Sequence, residues 1–420
     1  MSTDAFGNEF APGLPYARGR IIRSTEDDIR KLRRAGRVIE RRLASGAGVF
    51  NFSGLERSLN LDAKDLAWTD DEMAPALYGD RFRALALEHL GGTADRHDAM
   101  LFNRMTAATF SVHLALVKPG DVVLGVSATY SHPTVVRSAA QAGAKFIDTT
   151  TVDAFADALE REAPALVVVT RLAVSYDLLP LDALRRIVPL ARARGVPIYV
   201  DDAGGARVGP AMFDQPKMLE LGVDLGATGL DKYGVIGPRL GLMAGRADLV
   251  SKIRARAFEF GLEARPMLLP AAVRSLEGYR PERVRRLVES TRTVAAALRK
   301  VLGARVHETP VTAQLRADDV LAIALERAGL SAPPVVPIEA LAALAMLLLE
   351  DYGLITVHFA GLPPGTSSLL IKFIPPETLA AVGGPEAIAT AVDRSLSKLA
   401  ELVRDPARIA ALLFGDETAA

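Results

Sequence analysis

The chain of 420 residues carries 50 Lys plus Arg against 50 Asp plus Glu, and half of it is hydrophobic. That is enough for a large core, and two domains are expected because single cores stop growing beyond roughly 250 to 300 residues. Zero net charge offers no long-range attraction for nucleic acid or anionic membrane, and the absence of cysteine excludes disulfides, thiolate metal sites and cysteine nucleophiles.

The first residues show no basic start followed by an apolar core, and the longest apolar run, 340–349, is about half of what a membrane helix needs. A soluble, cytoplasmic protein is expected. Residues 18–42 hold ten Arg or Lys against four acids. Ser24 or Thr25 followed by Glu26, Asp27 and Asp28 predicts a capped helix start with acids at the positive dipole end. No aromatic residues interleave with these arginines, so a solvated or partner-facing surface is the better reading than a nucleic-acid arm.

Helices are predicted over 106–117, 133–142, 153–161 and 181–194, the last closed by Gly195 and Pro197. Between them, short runs rich in Val, Ile and Leu at 122–126, 145–149, 166–170, 197–201 and 240–244 predict strands buried on both faces. The alternation describes an α/β domain with a doubly wound, mainly parallel sheet over residues 76–262. Beyond it, long helices at 281–302 and 337–350 mix with strands at 305–308, 355–359 and 369–374. Residues 263–420 therefore read as a smaller α+β domain, and residues 1–75 as an N-terminal segment packing on it.

The chemistry concentrates in the middle. Lys232 stands in a glycine-rich turn between two short apolar strands, downstream of Tyr-Val-Asp201-Asp-Ala-Gly-Gly. A lysine on tight backbone is placed to form a Schiff base, and a strand-end aspartate can keep a pyridine nitrogen protonated, so the pair points to pyridoxal 5'-phosphate. Asp201 has a better claim than Asp202, because it ends the strand where open α/β sheets bind ligands. Ala203 and Gly204 are small enough for a ring to lie against the backbone. Asn103-Arg-Met-Thr106-Ala107 opens a helix with small residues and free N–H groups, which suits a phosphate, although a plain capped helix reads the same. His132, just before a helix, can cover a flat ring; a structural histidine, or Tyr130 in that role, is the alternative. Arg171 and Ser175 follow the 166–170 strand and either reach the cofactor's 3-oxygen or brace the loop. The six histidines show no metal-ligand spacing, and nucleotide-binding glycine motifs are absent.

The order Thr106, His132, Asp201-x-Ala203, Thr228, Lys232 resembles the fold type I, or aspartate aminotransferase-like, pyridoxal-phosphate enzymes across 77–278. The stretch Asp231-Lys232-Tyr-Gly-Val-Ile-Gly237-Pro238-Arg-Leu-Gly241 is similar to their selenocysteine synthase-like branch. The resemblance implies that Lys232 carries the cofactor, Asp201 meets its ring nitrogen, His132 stacks, and Thr106, Ala107 and Thr228 anchor its phosphate. It also implies a homodimer or higher homo-oligomer, with the segment 1–75 packing at the dimer or on the small domain. Two departures bear on substrate. Arg239 replaces a frequent glutamine, and Lys372 stands where relatives carry an arginine for the substrate carboxylate, with charge but no planar fork. Arg239 either turns into the pocket or pairs elsewhere.

The expected activity is on a small amino acid or related amine: elimination or replacement, as a lyase or selenocysteine synthase-like transferase. An aminotransferase or racemase shares the first steps, and a non-catalytic binding or regulatory protein of this fold is the reading from another class.

Overall fold

The structure, a computed structural model, describes residues 2–415. The chain forms two compact units. One is the continuous stretch Glu56–Arg285; the other joins the chain through Leu55 to the chain from Arg286. These boundaries differ from the expected 75/76 and 262/263. Helix Leu269–Glu277 packs on helix Met73–Leu90, which keeps both inside the continuous unit.

That unit is built on a seven-stranded sheet. Its strands are β1 (His97–Phe102), β2 (Val122–Val126), β3 (Lys145–Thr149), β4 (Leu166–Thr170), β5 (Ile198–Asp201), β6 (Leu225–Gly229) and β7 (Gly241–Arg246). In space they run β1-β7-β6-β5-β4-β2-β3. The pairs from β3 across to β6 are parallel, whereas β7 is antiparallel to both β6 and β1. An antiparallel neighbour needs no crossover helix, which is why only residues 230–240 separate β6 from β7, and Lys232 lies in that connection. Strand β4 shows why the sheet is stable. Leu166 and Val168 enter one apolar cluster and Val167 and Val169 the other, so every residue is buried and each side chain contributes on the order of 1.5–3 kcal/mol. The sequence reading missed β1, where His97 and Asp98 interrupt the apolar run; Asp98 accepts from Arg83 Nε at 3.1 Å and Arg254 Nη2 at 2.7 Å.

In the second unit, strand Thr312–Arg316 lies between Ser368–Lys372 and His307–Glu308, all antiparallel. Helix Pro337–Tyr352 is buried without a break from Pro337 to Leu349, as expected of a helix apolar on all sides. The basic N-terminal helix Thr25–Ala44 packs against it, capped by Ser24, which accepts from Glu26 N at 3.1 Å. The expected strand at 355–359 is only Leu354–Ile355, followed by a 3-10 turn. No helix among the described residues is long and apolar enough to cross a membrane.

Candidate active site

The site forms at the carboxyl end of β5 and β6. Asp201 ends β5, is 5% exposed, and accepts no hydrogen bond among the described residues. Burial, helped by the neighbouring Asp202 and opposed by Lys232, pushes its carboxyl up to about 7. Lys232 follows three residues after Gly229, the last residue of β6. A Cβ on Gly229 would stand 2.8 Å from Lys232 Nζ, so the missing side chain makes the space that the amine occupies. Lys232 Nζ lies 3.3 Å from Asp231 Oδ1, and Arg57 Nε donates to the other oxygen of that carboxylate at 3.0 Å. Burial alone would raise Asp231; Lys232 and Arg57 outweigh it and hold it below its ordinary value.

Asp202 has the opposite setting. It accepts from Arg171 Nε at 3.0 Å and from Arg171 Nη2, and both side chains are wholly buried. Arg171 Nη1 also donates to the Pro216 carbonyl at 2.7 Å. The guanidinium of Arg171 is thus an internal counter-ion to Asp202 that also ties the loop at Pro216. Ser175 pairs with Thr129 Oγ1 at 2.8 Å, linking the loop after β4 to the loop after β2.

His132 is half-buried and caps helix Pro133–Gln141, its Nδ1 accepting from Thr134 N at 3.0 Å. Burial pushes it down to about 4, with Arg137 and Lys232 adding, so the ring is neutral at neutral pH. Lys232 thus exerts its charge on Asp201 and on His132 together.

The expected phosphate end is more open. Helix Met105–Leu116 begins one residue earlier than predicted, and its N-cap, Arg104, supplies no side-chain cap. The Ala107 N–H already donates to the Arg104 carbonyl at 3.0 Å, leaving Met105 and Thr106 as the N–H groups without an intrahelical partner. Gly241 has to be glycine, because a Cβ there would lie 2.8 Å from the Arg104 carbonyl oxygen. Thr228, at the end of β6, is tied to two neighbours. Its buried hydroxyl donates to the Ala203 carbonyl at 3.1 Å and accepts from Arg207 Nη1 at 3.0 Å, bracing β6 against the residue after Asp202. Arg239 is exposed, and partial desolvation, with the like charges of Arg57 and Arg104, pushes it down to about 10. Neither Arg104 nor Arg239 forms a salt bridge or side-chain hydrogen bond among the described residues. Lys372 belongs to the other unit, where it is buried and its stem packs against Gly54.

The sequence reading missed Arg207, Arg104 and Arg57. Arg207 is wholly buried, with Nε and Nη2 lacking partners, and its burial pushes it down to about 10. One signal was available: an arginine among the small residues Ala203-Gly-Gly-Ala-Arg207.

No protein-family model matches the chain. A UPF0425 pyridoxal phosphate-dependent protein of Methanothermobacter thermautotrophicus is 31% identical over 355 residues, covering 83% of this chain and 88% of that protein. Among solved structures, the aspartate aminotransferase of Thermotoga maritima has a TM-score of 0.56 at 15% identity, covering 88% of this chain and 96% of that one. A SepCysS–SepCysE N-terminal domain complex gives a TM-score of 0.56 at 16% identity, covering 84% and 95%. At such identities these structures establish the fold alone, the aspartate aminotransferase-like one.

Proposed function

Since this chain belongs to the UPF0425 pyridoxal phosphate-dependent protein family, we propose that it acts on an amino acid or related amine by elimination or replacement at the β or γ carbon. The observation that carries the reading is the Lys232 amine over Gly229, acting on a buried Asp201 that has no other partner.

The residues fit the cofactor. Lys232 would hold it covalently. Asp201 would meet its ring nitrogen, because a carboxyl raised by burial is returned to its charged form by an adjacent cation. The neutral His132 ring would lie on its face, and the open start of helix Met105–Leu116, with Thr106 and Arg104, would face its phosphate. Pyridoxal phosphate, when bound, supplies an electron sink for the charge left at the substrate Cα when a bond there breaks.

The protein's own work is then specific. Asp201 would keep a proton on the ring nitrogen by offering its carboxylate to it. Lys232 would take a proton from the substrate Cα and return one, with the Asp231 carboxylate beside it stabilising the ammonium that results. Arg239 binds the substrate carboxylate as a planar fork. Two such chains form the working homodimer, a reading supported by the exposed apolar side chains of Trp68, Met73, Leu77 and Met267 near the start of helix Met73–Leu90.

Elimination or replacement is favoured by the Asp231-Lys232 to Gly237-Pro238 segment and by the likeness to SepCysS; the likeness to aspartate aminotransferase supports transamination as the second reading. Incubation of reconstituted protein with single amino acids separates them. Keto acid and ammonia formed without an added keto-acid acceptor are expected. Product that requires the acceptor, with no ammonia, overturns elimination.

A further inference from the structure

Tyr233 directly follows Lys232, and its backbone is left-handed, at φ +47°, a conformation that bulky side chains avoid. Tyr176, in the loop after β4, is left-handed as well, at φ +69°. Their hydroxyls meet at 2.5 Å, and both side chains are buried. Two non-glycine residues in this region, joined to each other, are held there by surroundings that over-determine them.

The surroundings are specific. Around Tyr176 the loop closes on itself: Leu172 bridges Leu178, Ala173 N donates to the Asp177 carbonyl at 3.0 Å, and Tyr176 N donates to the Ala173 carbonyl at 2.9 Å. Neighbouring Ser175 reaches the other way, to Thr129, on the loop that carries His132. The Tyr233 ring lies against residue 204, three positions after Asp201, so closely that any side chain there would run into it. Gly204 is therefore the seat of this ring.

We infer that Tyr176 and Tyr233 are positioning residues for Lys232, their hydroxyl-to-hydroxyl hydrogen bond fixing where the amine stands relative to Asp231 and Asp201. The inference rests on Lys232 being the reactive lysine. Burial raises both phenols above their ordinary value, so both keep their protons and the bond persists through the working pH range. What the pair holds in place is the Lys232 amine beside Asp231, 3.3 Å from its Oδ1, and near Asp201. A turn released from the loop changes the distances from the amine to these two carboxylates.

The experiment compares Tyr176→Phe, Tyr233→Phe and the double variant. The double variant keeps both ring volumes and removes both hydroxyls together, so neither is left facing an apolar ring edge in place of the other. In cofactor-free protein, the pH dependence of reductive methylation at Lys232 is followed by peptide mapping. In reconstituted protein, the pH midpoint of the visible cofactor band is read. Each single variant is expected to move both midpoints by about half a unit or more, roughly a threefold change in the protonation constant. The double variant is expected to move them no further, because one bond can be lost only once. Lowered thermal stability with unmoved midpoints would make the pair structural only and overturn the inference, as would additive shifts, which mean independent action. Attachment of the cofactor to another lysine removes the proposed function, while the methylation arm still decides the positioning claim.

Discussion

Two groups of charges in this chain invite comparison. In the unit built from both chain ends, Asp28 accepts from Lys31 Nζ at 3.1 Å and Arg18 Nη1 at 2.8 Å, and Glu339 accepts from the backbone N–H groups of Ile21 and Ile22 at 2.6 and 2.9 Å. Every charge there has a partner within the protein. At the end of β5, the Asp201 carboxyl has no hydrogen-bond partner among the described residues, and Arg104 and Arg239, after β1 and before β7, have no counter-ion among them. Asp201 is buried like Asp28 and Glu339 but lacks their partners, whereas Arg104 and Arg239 are exposed. A buried charge that is satisfied holds structure, whereas one left unsatisfied costs stability and is retained for a ligand. The contrast recurs between adjacent residues, in Asp202, bound to Arg171, and Asp201, bound to nothing.

The largest expected effect comes from removing the group at the centre of the unsatisfied network. Lys232→Ala should abolish the visible cofactor band and all turnover while the fold, read by circular dichroism, is retained. Borohydride reduction of the native protein followed by peptide mapping should tag Lys232; a tag elsewhere breaks the comparison at its root.

The adjacent aspartates sharpen it further. Asp201→Asn should bind cofactor yet lose on the order of 100-fold or more in turnover, because the ring nitrogen loses its carboxylate. Its stability should respond in the opposite sense. With the folded carboxyl at about 7 and the ordinary value at 3.8, the folded cofactor-free protein holds a proton that the unfolded chain has lost, so stability falls as pH rises from about 4 to 7. Asp201→Asn should remove that part of the slope, and the gap between variant and native melting temperatures should widen across the window. A constant gap would mean that the carboxyl is not raised.

Asp202→Ala should instead leave Arg171 buried and uncompensated, costing about 3–5 kcal/mol of stability with less direct damage to chemistry. Denaturant titration of both variants gives the test. Equal destabilisation by Asp201→Asn and Asp202→Ala would erase the distinction between the two carboxylates.

What the sequence makes legible follows the same division. Strand β4 and the Lys232 turn are readable because their signals are local: a leucine followed by four β-branched residues, and glycines that leave room for an amine. Asp201 is readable from its place at a strand end. The pairing of Arg171 with Asp202 is not, since it joins residues 31 positions apart, and neither is the commitment of the Thr228 hydroxyl to Ala203 and Arg207. Arg104 escapes for another reason. As an N-cap that does not cap, its role depends on lacking a partner, which no local pattern records. The unit boundary at 285/286 is likewise tertiary, set by helix Leu269–Glu277 against Met73–Leu90.

The smallest effect tests the edge of the unsatisfied network. Arg239 is only seven residues from Lys232 and exposed, and its nearest charges are two other arginines opposed by Asp231. That setting favours an incoming carboxylate over a protein acid. Arg239→Lys keeps the charge but loses the fork, so the Michaelis constant should rise by about 10-fold, equivalent to roughly 1.4 kcal/mol, with cofactor affinity unchanged. A fall in cofactor affinity instead would assign Arg239 to the phosphate beside Arg104 and Thr106. Lys372→Ala, measured in the same assay, examines the rival. Lys372 is buried against Gly54 in the unit where charges are satisfied, so its loss should lower stability more than it raises the Michaelis constant. If Lys372→Ala abolishes substrate binding while Arg239→Lys is neutral, the substrate carboxylate belongs to Lys372, and burial in a well-packed unit is no guide to which charges are free to bind.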